Sequence, residues 1–105
     1  MDCLNCQRVF EETEKRAAGI SIFVMGDEYI YSYWRCPQCD KWTIESYHDR
    51  FLGEASIGLL GPFPTEVGAR CVQLIQACPR PFDKHCECPS HDALYTGLPR
   101  DSDSD

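Results

Sequence analysis

The sequence lacks the features that place a chain in a membrane or in the secretory pathway. It has no apolar run near the roughly 20 residues that a membrane-spanning helix needs. The opening Met1-Asp2-Cys3 supplies neither the basic nor the apolar segment of a secretory signal. We therefore expect a cytoplasmic protein without a membrane partner. In that reducing compartment, repeated Cys-x-x-Cys motifs indicate metal binding before disulfide bonding.

Positive charge is also scarce. The 105 residues include 10 Lys and Arg against 17 Asp and Glu, so the formal net charge is −7 at pH 7. An acidic surface repels the phosphate backbone, whose neutralisation by Lys and Arg drives affinity for nucleic acids. Nucleic acid is thus a disfavoured partner. It would need a local basic face, for which the candidates are Arg8, Lys15, Arg16, Arg35, Lys41 and Arg50.

Catalytic motifs of zinc enzymes are absent from the sequence. There is no His-Glu-x-x-His pattern and no His-x-Glu pattern followed by Pro-Cys-x-x-Cys. His48-Asp49 resembles part of a catalytic triad, but no activated Ser or Cys accompanies it, which favours an ordinary histidine at the end of a strand. We expect no catalytic residues and no small-molecule substrate.

Cysteine, in contrast, is abundant, with eight residues. Cys3-Leu4-Asn5-Cys6 and Cys36-Pro37-Gln38-Cys39 offer four thiolates, the full set for Zn²⁺ at a closed structural site. The 29 residues between them (7–35) exceed the usual gap of roughly 15–20, and an inserted helix and hairpin explain the excess. Four thiolates leave no position for a substrate water. An iron site with the same sulfurs and a redox dithiol pair are the alternatives.

Residues 1 to about 49 resemble a zinc ribbon, a structural class in which two Cys-x-x-Cys knuckles clamp one zinc ion. The motif Cys36-Pro37-Gln38-Cys39, followed by Asp40-Lys41-Trp42, is similar to the second knuckle, which lies in a β-hairpin in that class. The sequence departs from the class after Cys6, where ribbons enter a strand and this chain has a helical pattern. The resemblance implies a fold and a metal, but no particular activity or specific protein family.

A second group of potential ligands follows residue 70. We predict a second zinc site in which one cysteine ends a helix and three residues return in a Pro-rich loop: Cys78, Cys86, Cys88 and His91. Cys71 lies on an apolar helical stripe and is interpreted as a core residue. His85 directly precedes Cys86 and is poorly placed to reach the same ion. Replacement of a ligand by either residue stays open, as does a three-ligand catalytic site with Asp83 or Glu87 as base.

The pattern of the chain predicts an α+β fold. A short N-terminal helix over residues 7–18 is indicated by Glu11/Lys15 and Glu12/Arg16 at i,i+4. Three antiparallel strands follow over residues 20–25, 29–35 and 41–47, with the second Cys-x-x-Cys as the turn between the last two. Residues 51–64 are interpreted as a connector that covers the sheet. Thr65 is the predicted N-cap of a C-terminal helix, residues 65–77, which leads to the metal-binding loop.

We expect one zinc-stabilised domain over residues 1–100, composed of the ribbon (1–49) and the connector, helix and second zinc loop (50–100). Residues 101–105 form an acidic tail that is expected to be disordered. The expected function is a small non-catalytic zinc-binding protein that supports protein–protein contacts. Its candidate contact surfaces are the Tyr29, Tyr31 and Tyr33 face and residues 51–64. The alternatives are a nucleic-acid-binding ribbon of transcription or RNA machinery and, third, a thiol redox protein.

Overall fold

The fold is built on one four-stranded sheet. The computed structural model describes residues 2–11, 14–24, 26–50, 53–86 and 88–94, without the side chain of Asp92. The antiparallel sheet has the strand order β1-β2-β3-β4. Its strands precede two helices: β1 (Ala18–Val24), β2 (Asp27–Arg35), β3 (Trp42–Asp49), β4 (Ser56–Phe63), α1 (Thr65–Gln76) and α2 (Pro89–Ala93). Within the described ranges, no helix has the length and apolar character needed to cross a membrane.

The period-two alternation of the first three strands determines which face of the sheet is buried. Ile20 pairs with Tyr31, and Tyr33 pairs with Ile44, so these four side chains share one face. Helix α1 packs on this face and adds the buried Cys71. Burying each large apolar side chain here contributes about 1.5–3 kcal/mol. The core therefore lies between the sheet and α1.

Helix α1 is anchored on the start of β3. The indole Nε1–H of Trp42 donates a hydrogen bond to the carbonyl of Thr65 at 3.0 Å, and the Thr65 hydroxyl donates to the carbonyl of Asp40 at 2.6 Å. The helix ends at Gln76, one residue before the predicted end. The prediction that Thr65 is the N-cap is wrong: the extended backbone of Pro64 places that residue at the N-cap, and its side chain has no acceptor for a capping bond. The Thr65 hydroxyl donates to Asp40 instead.

The prediction of a three-stranded sheet is wrong, because most of the expected connector forms β4. Residues 51 and 52 of that connector lie outside the described residues, as does Met25 at the expected end of the first strand. β4 carries no apolar alternation because it is an exposed edge strand. Its pairing with β3 shifts register between Trp42 and Ile44. Gly61, at φ 123°, lies opposite that irregularity and adopts a backbone conformation that other residues rarely take.

The predicted N-terminal helix is also wrong. No described residue of the range 7–18 is helical. Instead, Val9 returns antiparallel to Asp2, and Phe10 packs on Trp34 with ring centroids 5.4 Å apart. The i,i+4 pairs that suggested a helix contribute only about 0.2–0.5 kcal/mol each, and these tertiary contacts outweigh them. The second helix of the structure is the five-residue α2, which the sequence did not predict.

The tyrosine stripe of β2 is packed rather than open. Tyr31 and Tyr33 are buried in the core beneath α1. Tyr29 is half-buried and stacks on His48, with ring centroids 4.1 Å apart. His48 also lies 2.9 Å from the Asp27 carboxylate through its Nε2. Little of this face is available to a partner, so it serves cross-strand packing.

Candidate metal centres

The two Cys-x-x-Cys motifs fold into turns of the same design. In the first, the Cys3 N–H donates to the Arg8 carbonyl at 2.8 Å, and the Gln7 N–H donates to the Cys3 carbonyl at 2.9 Å. The second repeats both bonds at equivalent positions, from Cys36 to Lys41 and from Asp40 to Cys36, each at 2.9 Å. The fifth residue of each turn, Gln7 or Asp40, has a positive φ of 67° or 64°. The doubled sequence motif is therefore also a doubled backbone structure.

These turns bring the first four predicted ligands together. The Sγ atoms of Cys3 and Cys39 are 3.6 Å apart, as are those of Cys6 and Cys36, and all four lie within 4.8 Å of one another. Sulfurs around a tetrahedral Zn²⁺ at 2.3 Å are separated by about 3.8 Å. The donor set fits a tetrahedral ion that prefers thiolates. Zinc and iron both have that preference, so the geometry alone does not identify the metal.

The first centre is enclosed by side chains from three parts of the chain. Cys3 and Cys36 are buried, and with Phe10 they form a small second core in which Trp34 also packs. The hydroxyl of Thr43, on β3, accepts a hydrogen bond from the Leu4 N–H at 3.2 Å. The first turn thus contacts the sheet region in two ways: its cysteines pack with Trp34 and the second turn, and its backbone is hydrogen-bonded to Thr43. Burial and four donors leave the centre suited to a structural ion.

The pKa values of two thiols of the first centre, Cys39 and Cys6, are shifted in opposite directions. The Lys41 backbone N–H is the main influence on Cys39, and it lowers the pKa of that thiol to about 6 against the opposing effect of burial. At Cys6 the Arg8 backbone N–H lowers the pKa, but burial and the neighbouring Cys36, Cys39 and Cys3 outweigh it and raise the pKa to about 12. Sulfurs this close cannot all ionise without a cation. A divalent ion would remove that conflict.

The second centre is assembled where α1 ends. Cys78 follows the helix and is buried. The chain then returns, and α2 places His91 beside Cys78. Pro89 occupies the first turn of α2, where its missing N–H costs no hydrogen bond. Leu94, directly after α2, is fully buried in the main core and holds the short helix in place.

All four residues predicted for this centre come together. The Cys78 Sγ lies 3.8 Å from that of Cys86 and 3.3 Å from that of Cys88. The Nδ1 of His91 is 3.4 Å from the Cys78 Sγ and 3.3 Å from the Cys88 Sγ. A tetrahedral ion would place such nitrogen and sulfur donors about 3.5 Å apart. This group, too, could hold a metal ion, with His91 as a ligand through Nδ1.

In the second centre, the pKa values of Cys78 and Cys88 are also shifted in opposite directions. Burial, with smaller contributions from Cys88 and Cys86, outweighs the lowering effect of the Arg80 backbone N–H and raises the pKa of the Cys78 thiol to about 11. At Cys88 burial also raises the pKa, but the backbone N–H and the ring of His91 outweigh it and lower the pKa to about 6. The opposite ring atom, His91 Nε2, is buried and has no hydrogen-bond partner in the described part of the chain.

Neither residue considered as a replacement ligand belongs to this group. Cys71 is fully buried in the main core, where burial raises its pKa to about 11. His85 is exposed, and its ring packs on Phe23 at a centroid distance of 4.9 Å. Of the two residues considered as a base, Glu87 lies outside the described residues. Asp83 accepts a hydrogen bond from the His85 N–H at 3.0 Å, a local turn contact.

Three supporting features of the centres were not predicted from the sequence: the positive φ of Gln7 and Asp40, the Thr43 hydrogen bond and the helix that carries His91. The repeated Cys-x-x-Cys motif could have indicated the positive φ, because two turns of the same design need the same backbone conformation at equivalent positions. The dipeptide Cys88-Pro89, with the proline at a helix start, could have indicated α2. No protein-family model, no curated protein and no solved structure matches this chain.

Proposed function

We propose that the protein is a non-catalytic zinc protein in which two structural ions hold together a small protein-interaction module. One observation carries the proposal: eight Cys and His residues lie in two separate groups of four, each at the spacing of a tetrahedral ion. A tetrahedral zinc with four protein ligands has no open position for water or substrate. Complete sets at both centres therefore favour structure over catalysis.

The position of each centre favours a structural role as well. The first centre joins the segment before β1 to the turn between β2 and β3. The second joins the end of α1 to α2. Each ion would thus close a loop between segments that are distant in the sequence. Because ligands gather only in the folded chain, the free energy of metal binding becomes free energy of folding.

A protein partner is supported by the distribution of charge and apolar surface. Four of the six cations that could form a basic face have other contacts: Arg8 pairs with Glu14, Arg35 pairs with Asp40, Arg16 bonds Ser32, and Arg50 bonds the Glu54 carbonyl. At the same time β4 exposes Ile57, Leu59 and Leu60. Apolar side chains on an acidic protein suit another protein better than a phosphate backbone.

Native mass spectrometry of protein purified without added metal tests the proposal. We expect two zinc ions per chain and loss of the native fold, measured by circular dichroism, when a strong chelator removes them. The variant C78A should retain one ion, whereas C71A should retain two, because Cys71 lies outside both groups. Iron in place of zinc, no bound metal, or an unchanged fold after chelation would each contradict the proposal.

Alkylation of the same sample separates the structural role from thiol redox chemistry. Thiolates whose lone pairs are coordinated to zinc should react slowly in the native protein, including the partly buried Cys39 and Cys88. Cys71 should also be protected, because it is fully buried in the core. Rapid modification of Cys39 or Cys88 in protein that still carries two ions would favour redox chemistry instead.

A further inference from the structure

The edge strand β4 is the most exposed element of the fold. Residues 56–62 are all exposed, on both faces of the strand. Three large apolar side chains are among them: Ile57 is 65% exposed, Leu59 39% and Leu60 36%. An edge strand with exposed apolar side chains presents unpaired backbone groups and side chains to any extended segment that can pair with it.

The opposite edge of the sheet, in contrast, is closed by the chain itself. The Ser21 N–H, on β1, donates to the Pro81 carbonyl at 2.8 Å. Phe82 lies against Gly19 and beneath the Arg16 guanidinium, 4.8 Å from the ring centroid. His85 packs on Phe23 of the same strand. The segment between Cys78 and Cys86, two residues of the second centre, thus covers β1. Among the described residues no element covers β4.

The exposed apolar side chains of β4 adjoin half-buried apolar side chains on the face of the sheet opposite α1. Ile30, Tyr47 and Ile57 are cross-strand neighbours in β2, β3 and β4. Leu59 lies on the same face, paired with Glu45. Ile30 and Tyr47 are only half-buried. We call Ile30, Tyr47, Ile57 and Leu59 the lateral patch.

Acidic side chains surround the lateral patch and the start of β4. Glu45 lies between Ser32 and Leu59 in the cross-strand pairing, Asp49 ends β3, and Glu54 lies two residues before the start of β4. None of these three carboxylates has an ion-pair partner in the described ranges. A second copy of this chain, with a formal charge of −7, would bring the same carboxylates together. The charge favours a basic partner and opposes self-pairing.

We propose that β4 accepts an extended, basic segment of a partner protein as a fifth strand of the sheet. The inference rests on the proposed function, because it identifies the partner of that interaction module. Every second side chain of the segment would lie on the face of the lateral patch, the apolar ones beside Ile57 and Leu59. Lys or Arg side chains at other positions on that same face would reach toward Glu45 and Asp49, which lie on it as well. Pairing is confined to residues 56–61, because Pro62 has no backbone N–H to donate.

The test uses the metal-loaded protein as bait for a displayed library of random decapeptides. We expect enrichment of peptides in which apolar and basic residues occur two or four positions apart, so that both kinds share one face of the added strand, without proline in the paired stretch. The best synthetic peptide, titrated into ¹⁵N-labelled protein, should shift the amide resonances of β4 and β3. Its affinity should fall several-fold when salt is raised from 50 to 200 mM, because the carboxylates contribute.

Two matched variants locate the site. Ile57→Thr keeps a β-branched residue and should weaken binding about fivefold to tenfold through lost apolar contact. Val9→Thr removes the same kind of side chain at a comparable exposure, 61% against 65%, outside the sheet, and should leave affinity unchanged. Glu45→Gln should weaken binding and reduce its salt dependence.

Several outcomes would overturn the inference: no enriched peptide, enrichment of acidic or helix-forming peptides, shifts confined to β1 or α1, or equal effects of I57T and V9T. Concentration-dependent dimerisation in light scattering, lost in I57T, would instead identify a second copy as the occupant and also overturn it. The zinc count of the bait is measured first. Two ions with no peptide bound would reject this inference alone, whereas bait without metal would reject the proposed function.

Discussion

Gly68 occupies the point where α1 crosses the sheet. A Cβ atom built at this position would overlap the Trp42 indole ring. The glycine thus permits the close approach at which the Trp42 Nε1–H reaches the Thr65 carbonyl. Because the helix and the ring are both fixed by other contacts, neither can move away cheaply.

Gly68→Ala should therefore destabilise the protein by about 1–3 kcal/mol, the range for overpacking a core, even though alanine is the better helix former. Gly58→Ala is the matched control, since a Cβ there would meet nothing within 4 Å. Denaturant unfolding of the zinc-loaded variants measures both effects. Equal stability of the two variants would show that α1 does not pack on Trp42 as described.

The Arg8–Glu14 ion pair holds the segment between the first centre and β1. The guanidinium donates two hydrogen bonds to the carboxylate, at 3.0 and 2.8 Å. These bonds, followed by the Glu11 backbone N–H, lower the pKa of Glu14 from its ordinary value. A carboxyl whose pKa is lower in the folded state stabilises the fold above its unfolded pKa. That contribution is lost as the pH falls through the folded pKa.

Glu14→Gln should therefore lower the melting temperature at pH 7, and the difference from wild type should shrink as the pH falls below about 4.5. Comparing variants at each pH cancels the effect of acid on the metal centres, because both proteins lose metal alike. Glu54→Gln is the control, an exposed carboxylate without an ion pair in the described part of the chain. A pH-independent difference for E14Q would show that the ion pair does not stabilise the fold.

Ligand residues are the part of the site that sequence reasoning can identify. The pairs Cys3/Cys6 and Cys36/Cys39 are recognisable because a two-residue spacing within one turn is a local property. The structure gathers these four, and the four predicted for the second centre, into two groups; that they bind zinc stays a prediction. The positive φ of Gln7 was not predictable from its residue type, because it accompanies the turn closed by the Gln7 N–H to Cys3 carbonyl and the Cys3 N–H to Arg8 carbonyl hydrogen bonds rather than a side-chain preference.

Elements of structure were predictable only where a local pattern agrees with burial. The first three strands carry large core side chains at every second position, on the face that packs on α1, and α1 has an apolar stripe for the same reason. β4 could not be found this way, since an exposed edge strand has no buried face to impose alternation. The N-terminal helix was predicted wrongly for the opposite reason. The local pattern of charge pairs favours a helix there, but the segment does not adopt one because Phe10 packs on Trp34.

The hydrogen bond from Ser21 to Pro81, which covers the outer edge of β1, should depend on an intact second centre. Cys88→Ala removes one of its four ligands, so the segment that carries Pro81 should detach from Ser21. We expect faster hydrogen exchange at the Ser21 amide and unchanged exchange at the Ala17 amide, whose acceptor is the Tyr33 carbonyl at 2.8 Å. C71A, which alters no ligand, controls for the loss of a cysteine.

Exchange measured by NMR distinguishes three results for C88A. Selective loss of protection at Ser21 supports local closure of the edge by the second centre. Unchanged protection in protein that has lost one ion would contradict it. Simultaneous loss at Ser21 and Ala17 would show that the second centre stabilises the whole fold rather than one edge.

At the scale of the whole molecule, the proposed ions leave the protein more acidic than its sequence alone. Zn²⁺ with four thiolates carries a local charge of −2, and Zn²⁺ with three thiolates and a neutral histidine carries −1. Both add to the −7 of the chain. Since two of the candidate cations, Arg8 and Arg35, are already in ion pairs, the long-range field is negative and repels polyanions.

Zinc-loaded protein should accordingly show no binding to fluorescent single-stranded DNA or RNA by anisotropy, even at 20 mM salt, where electrostatic attraction is least screened. The triple variant Glu45→Lys, Asp49→Lys, Glu54→Lys is the informative control, because it places a basic cluster beside the half-buried Tyr47. Weak, salt-sensitive binding by this variant alone would show that charge, not the shape of the sheet, excludes nucleic acid. Salt-dependent binding by the wild type would instead mean that Lys15 and Lys41 suffice for a basic face, and the protein would have to be assigned to the nucleic-acid-binding class.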